Sequence, residues 1–169
     1  MCSKKSYTIK TLFLIVAILL SPCLLWAFSN EPEGFRGIKW GTRIWELSDM
    51  GIGKDAGNSR WYIRKDDKMK IGDADVEQIA YGFYQDRFYD VVISFTGSVN
   101  FSKIKETFQQ LYGSGPHPDE FMERYFWLGR EVNITLVYNV ASNKGEASYW
   151  YKPIEEEKEA ARKKGQGNE

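Results

Sequence analysis

The alternation of apolar and polar residues is clearest over residues 79–95, where it predicts a β-hairpin. Ile79, Tyr81 and Phe83 would share one face of the first strand, because successive side chains point to opposite sides of a strand. A polar turn at residues 85–87 separates this strand from a second one with the same alternation. The hairpin therefore predicts an antiparallel sheet with one buried face.

The length of the turn determines which residues face each other across the hairpin. A three-residue loop predicts three apolar pairs: Phe83 with Tyr89, Tyr81 with Val91, and Ile79 with Ile93. A two-residue loop would instead place Tyr81 opposite Asp90 and interrupt the apolar face. The sequence therefore favours the three-residue loop.

After the hairpin, the spacing of apolar residues changes to that of a helix. The apolar stripe consists of Phe101, Ile104, Phe108, Leu111 and Tyr112. Asn100 is expected to cap this helix and Gly113 to end it. A shorter helix is predicted over residues 43–50, with Thr42 as its cap and two following glycines as its stop.

Four further segments have the residue types and alternation of strands: 59–65, 121–128, 132–140 and 146–152. With the hairpin they predict an α+β fold, in which two helices pack on one face of an antiparallel β-sheet of about six strands. The order of one helix and three strands occurs twice, which suggests a tandem repeat over residues 35–97 and 100–152.

The two ends of the chain differ from the single domain predicted over residues 30–152. The tail, residues 153–169, has no large apolar residue from position 155 onward. We predict a solvated helix or a disordered segment there, frayed rather than docked.

The first 29 residues have the pattern of a secretory signal peptide. Three lysines precede an uncharged apolar run over residues 12–28, and the small residues Ala27 and Ser29 place the expected cleavage before Asn30. The mature protein would then be periplasmic or secreted. Because the apolar run is nearly long enough to span a bilayer, an uncleaved N-terminal membrane anchor is the alternative. Lipidation is disfavoured, since Pro22 occupies the position before Cys23 where a small residue is needed.

Cysteine content and charge narrow the class of protein. Both cysteines, Cys2 and Cys23, lie in the signal segment, so the mature domain would have neither disulfides nor thiol chemistry. Three of the 23 basic residues and none of the 23 acidic residues lie there too, which leaves a mature net charge of −3. This balance, together with export, argues against a nucleic-acid partner. No cofactor is predicted.

A short motif precedes the first predicted helix and consists of Phe35, Gly37, Ile38, Trp40, Gly41 and Thr42. It resembles the opening of small exported bacterial proteins of uncharacterised function. The helix followed by an antiparallel meander also resembles the repeats of β-lactamase-inhibitor proteins and of the small lipoproteins of outer-membrane assembly machinery. This resemblance implies a binding or assembly role rather than catalysis.

Aromatic residues supply the predicted binding surface. Trp61 and Tyr62 lie in one predicted strand, and Tyr149, Trp150 and Tyr151 lie in another. Three consecutive aromatic side chains in a strand cannot all face one core. Either Trp150 or its two neighbours must therefore meet a second layer or stand exposed. These five residues are our predicted binding residues.

Residues with catalytic or metal-binding chemistry have simpler interpretations. His117, the only histidine, lies between two prolines, and no motif supplies a nucleophile or an orienting group. Asp73, Asp75 and Glu77 alternate and would project carboxylates from one face, but they lack the spacing of a calcium-binding loop. A basic cluster around Trp61 is interrupted by aspartates and is interpreted as a solvated hairpin: Arg60, Arg64, Lys65, Lys68 and Lys70. We predict no catalytic residue and no metal site.

Together these observations predict a non-enzymatic protein-binding or assembly module of the bacterial cell envelope, with another envelope protein as its partner. The alternative is a pocket protein for a small apolar or sugar ligand, which requires a tryptophan-lined cavity between the helices and the sheet. A hydrolase is the third hypothesis, and it requires polar side chains from separate strands to converge in a cleft.

Overall fold

Seven antiparallel strands form the main sheet of the computed structural model, which describes residues 30–116 and 123–166. The strands, in chain order, are β1 (Gly34–Phe35), β2 (Ile38–Lys39), β3 (Met50–Ala56), β4 (Ser59–Arg64), β5 (Lys70–Ile71), β6 (Ala74–Asp75), β7 (Gln78–Tyr84), β8 (Arg87–Thr96), β9 (Glu123–Leu128), β10 (Val132–Asn139) and β11 (Lys144–Tyr151). The main sheet has the order β3-β4-β7-β8-β11-β10-β9, while β1 with β2 and β5 with β6 form small separate hairpins. The predicted signal segment, the first two residues of the predicted strand 121–128, and His117 lie outside the described residues.

The fold is α+β, as predicted, but its helices differ from the expected pair. Helix α1 (Ser98–Tyr112) begins two residues before its predicted cap, Asn100, and ends at Gly113 as expected. The helix predicted over residues 43–50 is a single 3-10 turn, Ile44–Glu46, because the residues from Met50 onward pair with β4 as a strand. The second α-helix is α2 (Lys152–Gln166), in the charged tail.

The two helices also pack on opposite faces of the sheet rather than on one face. Helix α1 contributes to the main core, whereas Ile154 of α2 packs in a separate cluster with Tyr84 and Tyr89. Tyr84 follows the core residue Phe83 in β7 and therefore points to the other side of the sheet. The prediction that both helices share one face is wrong.

The central hairpin forms as predicted, but its turn has two residues, Gln85 and Asp86, with φ angles of 47° and 63°. Nearest the turn, the pairs are Tyr84 with Arg87, Phe83 with Phe88, and Gly82 with Asp90. Tyr89 is therefore the extra residue of a β-bulge, which restores the two predicted pairs farther from the turn. The predicted three-residue loop and the predicted pair of Phe83 with Tyr89 are therefore wrong. A two-residue turn alone would shift the register of the whole hairpin, and the bulge compensates for that shift.

Strand β3 is not predicted by the sequence pattern, and it brings the main sheet to seven strands rather than six. It contains Gly51 and Gly53, which are poor strand formers, and its pairing with β4 shifts between Ile52 and Lys54. Pairing with β4, and not its own periodicity, makes this segment a strand. Four strands of the main sheet precede α1 and three follow it, so the predicted tandem repeat is not confirmed.

The main core lies between α1 and one face of the sheet. Phe101, Ile104 and Phe108 of α1 are buried, as the helical stripe predicts, whereas Leu111 of the same stripe is 49% exposed. The ring of Phe108 contacts Trp127 and Tyr149 edge-on, with ring centroids 5.5 and 5.6 Å apart. Such aromatic contacts add to the free energy gained by burying apolar area. Helix α1 therefore covers one face of the sheet with a largely aromatic core.

Glu31 connects the N-terminal segment to the second half of the sheet. Its carboxylate accepts hydrogen bonds from the backbone N–H groups of Arg130, Glu131 and Val132, in and after the turn between β9 and β10. An ionised acceptor makes each of these hydrogen bonds stronger than one between neutral groups. This contact holds the start of the described chain against the sheet.

The tail docks over its first two turns, although we expected it to fray. Ile154 is buried, and the guanidinium of Arg87 lies 2.7 Å from both carboxylate oxygens of Glu157. From residue 160 onward the described part of α2 is exposed. Across the residues that the structure describes, no helix is both long enough and apolar enough to cross a bilayer.

Candidate functional site

The second face of the main sheet carries the side chains that alternate with the core residues. In β8, Val91 and Ile93 point into the core, whereas Val92 and Ser94 are only half-buried. Open grooves lie along this side of the sheet. We call this surface the open face, and its half-buried residues include Trp61, Ala80, Asp90, Val92, Ser148 and Trp150.

Strand pairing brings two tryptophans and one carboxylate into a single row across the open face. The row runs through β4, β7, β8 and β11 and consists of Trp61, Gly82, Asp90 and Trp150. Neighbouring strands lie about 4.8 Å apart, so the Cα atoms of the two tryptophans are roughly 14 Å apart, with Asp90 between them. We call these four residues the tryptophan row.

Gly82 allows Trp61 to lie close to Asp90. A Cβ atom added at Gly82 would lie 2.9 Å from the Cβ of Asp90 and 3.1 Å from a ring carbon of Trp61. A larger residue would therefore have to displace the indole. The glycine thus lets the ring of Trp61 extend across β7 towards β8.

The β-bulge aims Asp90 at the open face. Without the extra residue, strict alternation would put Asp90 on the same face as the core residue Phe88. With the bulge, Tyr89 and Asp90 both point away from the core, and Tyr89 packs against Tyr84 at a ring-centroid distance of 6.4 Å. The turn and the bulge therefore bring a carboxylate between the two tryptophans.

Asp90 has an unusual electrostatic environment. Burial raises its pKa to about 7; Lys158 opposes this shift, while Glu155 and Glu146 add to it. The backbone N–H of Val91 is its hydrogen-bond donor. Within residues 30–116 and 123–166, no side chain forms a hydrogen bond or an ion pair with Asp90. The carboxyl group of Asp90 can therefore exchange a proton near neutral pH.

Lys158 fixes the second turn of α2 beside the row. Its Nζ lies 2.9 Å from a carboxylate oxygen of Glu155 and 3.0 Å from the hydroxyl of Tyr89. It also lies 5.0 Å from the centre of the Tyr89 ring, a cation–π contact. Burial lowers the pKa of Lys158, but its hydrogen bonds to Tyr89 and Glu155 outweigh this effect and hold the pKa above its ordinary value. Lys158 is therefore a charged structural residue rather than a base.

Two grooves on the open face meet at Val92. The first, of about 310 Å³, is mainly apolar, and its walls include Trp61, Ile63 and Ala80. The second, of about 220 Å³, lies beside α2 and is lined by Asp90, Ser148, Trp150, Glu155 and Lys158 as well as by Val92. A ligand that fills both grooves needs an apolar part and a charged or polar end.

The structure separates the five predicted binding residues into three groups. Trp61 and Trp150 lie on the open face, as members of the tryptophan row. Tyr62 and Tyr149 are 6% and 3% exposed and belong to the main core, which removes them from the candidate surface. Tyr151 is half-buried and stacks on Trp40, with ring centroids 6.2 Å apart.

Sequence reasoning missed Asp90 and Lys158 as site residues. For Asp90, the available signal was a carboxylate in the middle of an otherwise apolar strand. For Lys158 there was little signal, because its position depends on the docking of α2.

The other candidate residues from the sequence do not come together in one site. The predicted basic cluster is divided among separate ion pairs: Arg60 with Asp86, Arg64 with Asp49, and Lys70 with Asp75. Glu77 accepts a hydrogen bond from the hydroxyl of Thr96. Within the described part of the chain, no three histidine, cysteine, aspartate or glutamate side chains are grouped so as to hold a metal ion.

Comparison of this chain with protein-family models, with curated proteins and with solved structures finds no match. The function must therefore be argued from the geometry of the open face.

Proposed function

We propose that this protein is an exported, non-enzymatic binding module of the bacterial cell envelope, and that its open face holds a partner protein. The observation that carries this proposal is the tryptophan row, in which Trp61 and Trp150 lie half-buried on the face opposite α1. Tryptophan residues contribute a large share of the binding free energy at many protein interfaces.

The surroundings of the row support the same function. Exposed Gln78 and half-buried Ser94 and Ser148 lie among the apolar residues of the open face. A polar surround with a few large aromatic residues is typical of interfaces that form between separately soluble proteins. The charge of Asp90 would give such an interface specificity.

A pull-down from envelope extract tests the proposal. The bait is the protein purified after export of the full chain, compared with the double variant Trp61→Ala/Trp150→Ala. Trp45→Ala is the matched control, because Trp45 is 69% exposed on the 3-10 turn and is not part of the row. Circular dichroism checks that each variant is folded.

We expect a partner protein that binds the parent and the Trp45→Ala variant but not the double variant. A partner that the folded double variant retains would contradict the proposal. Capture of no protein by the parent would also contradict it, and would favour the alternative of a small ligand in the apolar groove, whose volume is at the lower end of ligand pockets.

A further inference from the structure

A half-buried carboxylate, that of Asp90, lies between the tryptophans of the open face. Trp150 is the direct neighbour of Asp90 on β11, and Trp61 approaches it from the other side across Gly82. In the described part of the chain, Asp90 has no ion-pair partner. Withdrawing a charge from water is unfavourable unless an opposite charge compensates it. This imbalance points to a cation that a ligand supplies.

The charged groups that face Asp90 leave the site negative. They are Glu146 on β11 and Glu155 and Lys158 on α2. Lys158 is already engaged, since its Nζ is 2.9 Å from Glu155 and 3.0 Å from the Tyr89 hydroxyl. Lys158 and Glu155 therefore neutralise each other, and Asp90 and Glu146 remain as an excess of negative charge.

The two tryptophans indicate which cation fits best. A guanidinium group is planar, stacks on indole rings and donates two parallel hydrogen bonds to one carboxylate. An ammonium group is compact and strongly hydrated, and it cannot stack in this way. A guanidinium placed on Asp90 would have Trp61 on one side and Trp150 on the other. The apolar groove along Trp61 and Ile63 is available for its methylene stem.

We propose that the tryptophan row binds an arginine side chain of the partner protein, with the guanidinium paired to Asp90 between Trp61 and Trp150. This proposal rests on the proposed binding function of the open face, and it names the group that the partner presents there. The remaining charge of Glu146 adds to the attraction.

Protonation of Asp90 removes the charge to which the guanidinium pairs. Since its pKa in the free protein is about 7, the ionised fraction falls from roughly 0.9 at pH 8 to roughly 0.1 at pH 6. Arginine binding should therefore weaken about tenfold over this range. Because Glu146, Glu155 and Lys158 also face the site, the Asp90→Asn variant is needed to show that the effect comes from Asp90.

The test follows the indole N–H signals of the protein by NMR, after export of the full chain. The probe is N-acetyl-argininamide, and the matched control is N-acetyl-citrullinamide, in which a neutral urea of the same shape replaces the guanidinium. We expect the arginine probe to shift the signals of Trp61 and Trp150 but not that of Trp45. Its dissociation constant should be about tenfold larger at pH 6 than at pH 8. The citrulline probe should show no such pH dependence.

The Asp90→Asn variant should bind the arginine probe at pH 8 no more tightly than the parent binds the citrulline probe. Equal affinity of the parent for both probes would overturn the proposal, and so would the absence of shifts at Trp61 and Trp150. If Asp90→Asn does not fold, the pH titration of the parent with both probes still tests the arginine proposal. If the partner protein requires the two tryptophans but binds Asp90→Asn as tightly as the parent, the proposed function stands and the arginine assignment fails.

Discussion

Removing the charge of Asp90 should stabilise the protein above neutral pH. Burial raises the pKa of Asp90 from 3.8 to about 7. Between these two values the folded protein therefore holds a proton that the unfolded chain has released. The stability contributed by this group falls as the pH rises from about 4 to about 7 and is constant above that range. At about 1.4 kcal/mol per pKa unit, three units correspond to about 4 kcal/mol. Solvent screening of the half-buried group reduces our expectation to about 2–4 kcal/mol.

The Asp90→Asn variant isolates this effect, because the amide has nearly the shape of the carboxylic acid but carries no charge. Urea denaturation of the parent and the variant at pH 5, 6, 7 and 8 measures the free energy of unfolding of each. The advantage of the variant should grow with pH and reach about 2–4 kcal/mol at pH 8. Glu77→Gln, which removes an exposed carboxylate at the start of the hairpin, controls for general charge effects. A difference that does not change with pH, or a parent more stable than Asp90→Asn at pH 8, would refute the reasoning.

Three further predictions concern the packing around the site. Glu31→Ala should lower the free energy of unfolding by about 1–3 kcal/mol, because three backbone N–H groups lose their acceptor, whereas Glu33→Ala should change it by less than about 0.5 kcal/mol. Equal losses of unfolding free energy for the two variants, measured by chemical denaturation, would contradict this prediction. Gly145→Ala should lower the midpoint of thermal unfolding, since its Cβ would lie 2.1 Å from the ring of buried Phe95, and the cost should be about 1–3 kcal/mol. An unchanged midpoint would count against the packing described. Ile154→Ala should speed hydrogen exchange in α2 and leave the sheet protected, because Ile154 is the buried residue of α2. A hydrogen-exchange rate that rises equally in α2 and in the sheet would show that α2 is part of the core.

The predicted hairpin shows what a local pattern can establish. Every second residue of β7 is buried from Ile79 to Phe83, and that alternation is visible in the sequence without any knowledge of the neighbours. The turn is different. Gln85 and Asp86 adopt positive φ angles without the asparagine–glycine or aspartate–glycine pair that usually marks such a turn. The bulge at Tyr89 then follows from pairing across the hairpin, which the pattern of one strand cannot reveal.

The candidate site was predictable only in part. Consecutive aromatic residues in β11 implied that Trp150 and Tyr149 lie on opposite faces, and the structure places Tyr149 in the core. Trp61 and Tyr62 are both aromatic, so their sequence could not say which of them is buried. The position of Lys158 depends on contacts between α2 and β8, which join residues about 70 positions apart. The charged tail offers one large apolar residue, Ile154, as a signal for these contacts.

The central claim is that the open face, and not the opposite side of the molecule, holds a partner protein. The most direct measurement is photo-crosslinking in cells that carry the native gene, with a photoreactive amino acid placed in the protein. Gln78, at the exposed end of the apolar groove, is the position on the open face, and Val99, 66% exposed on α1, is the control on the other side. We predict a specific protein crosslink from position 78 and none from position 99. The crosslink from position 78 should be lost when Trp61 and Trp150 are replaced by alanine. A crosslink from position 99 alone, or from neither position, would contradict the account.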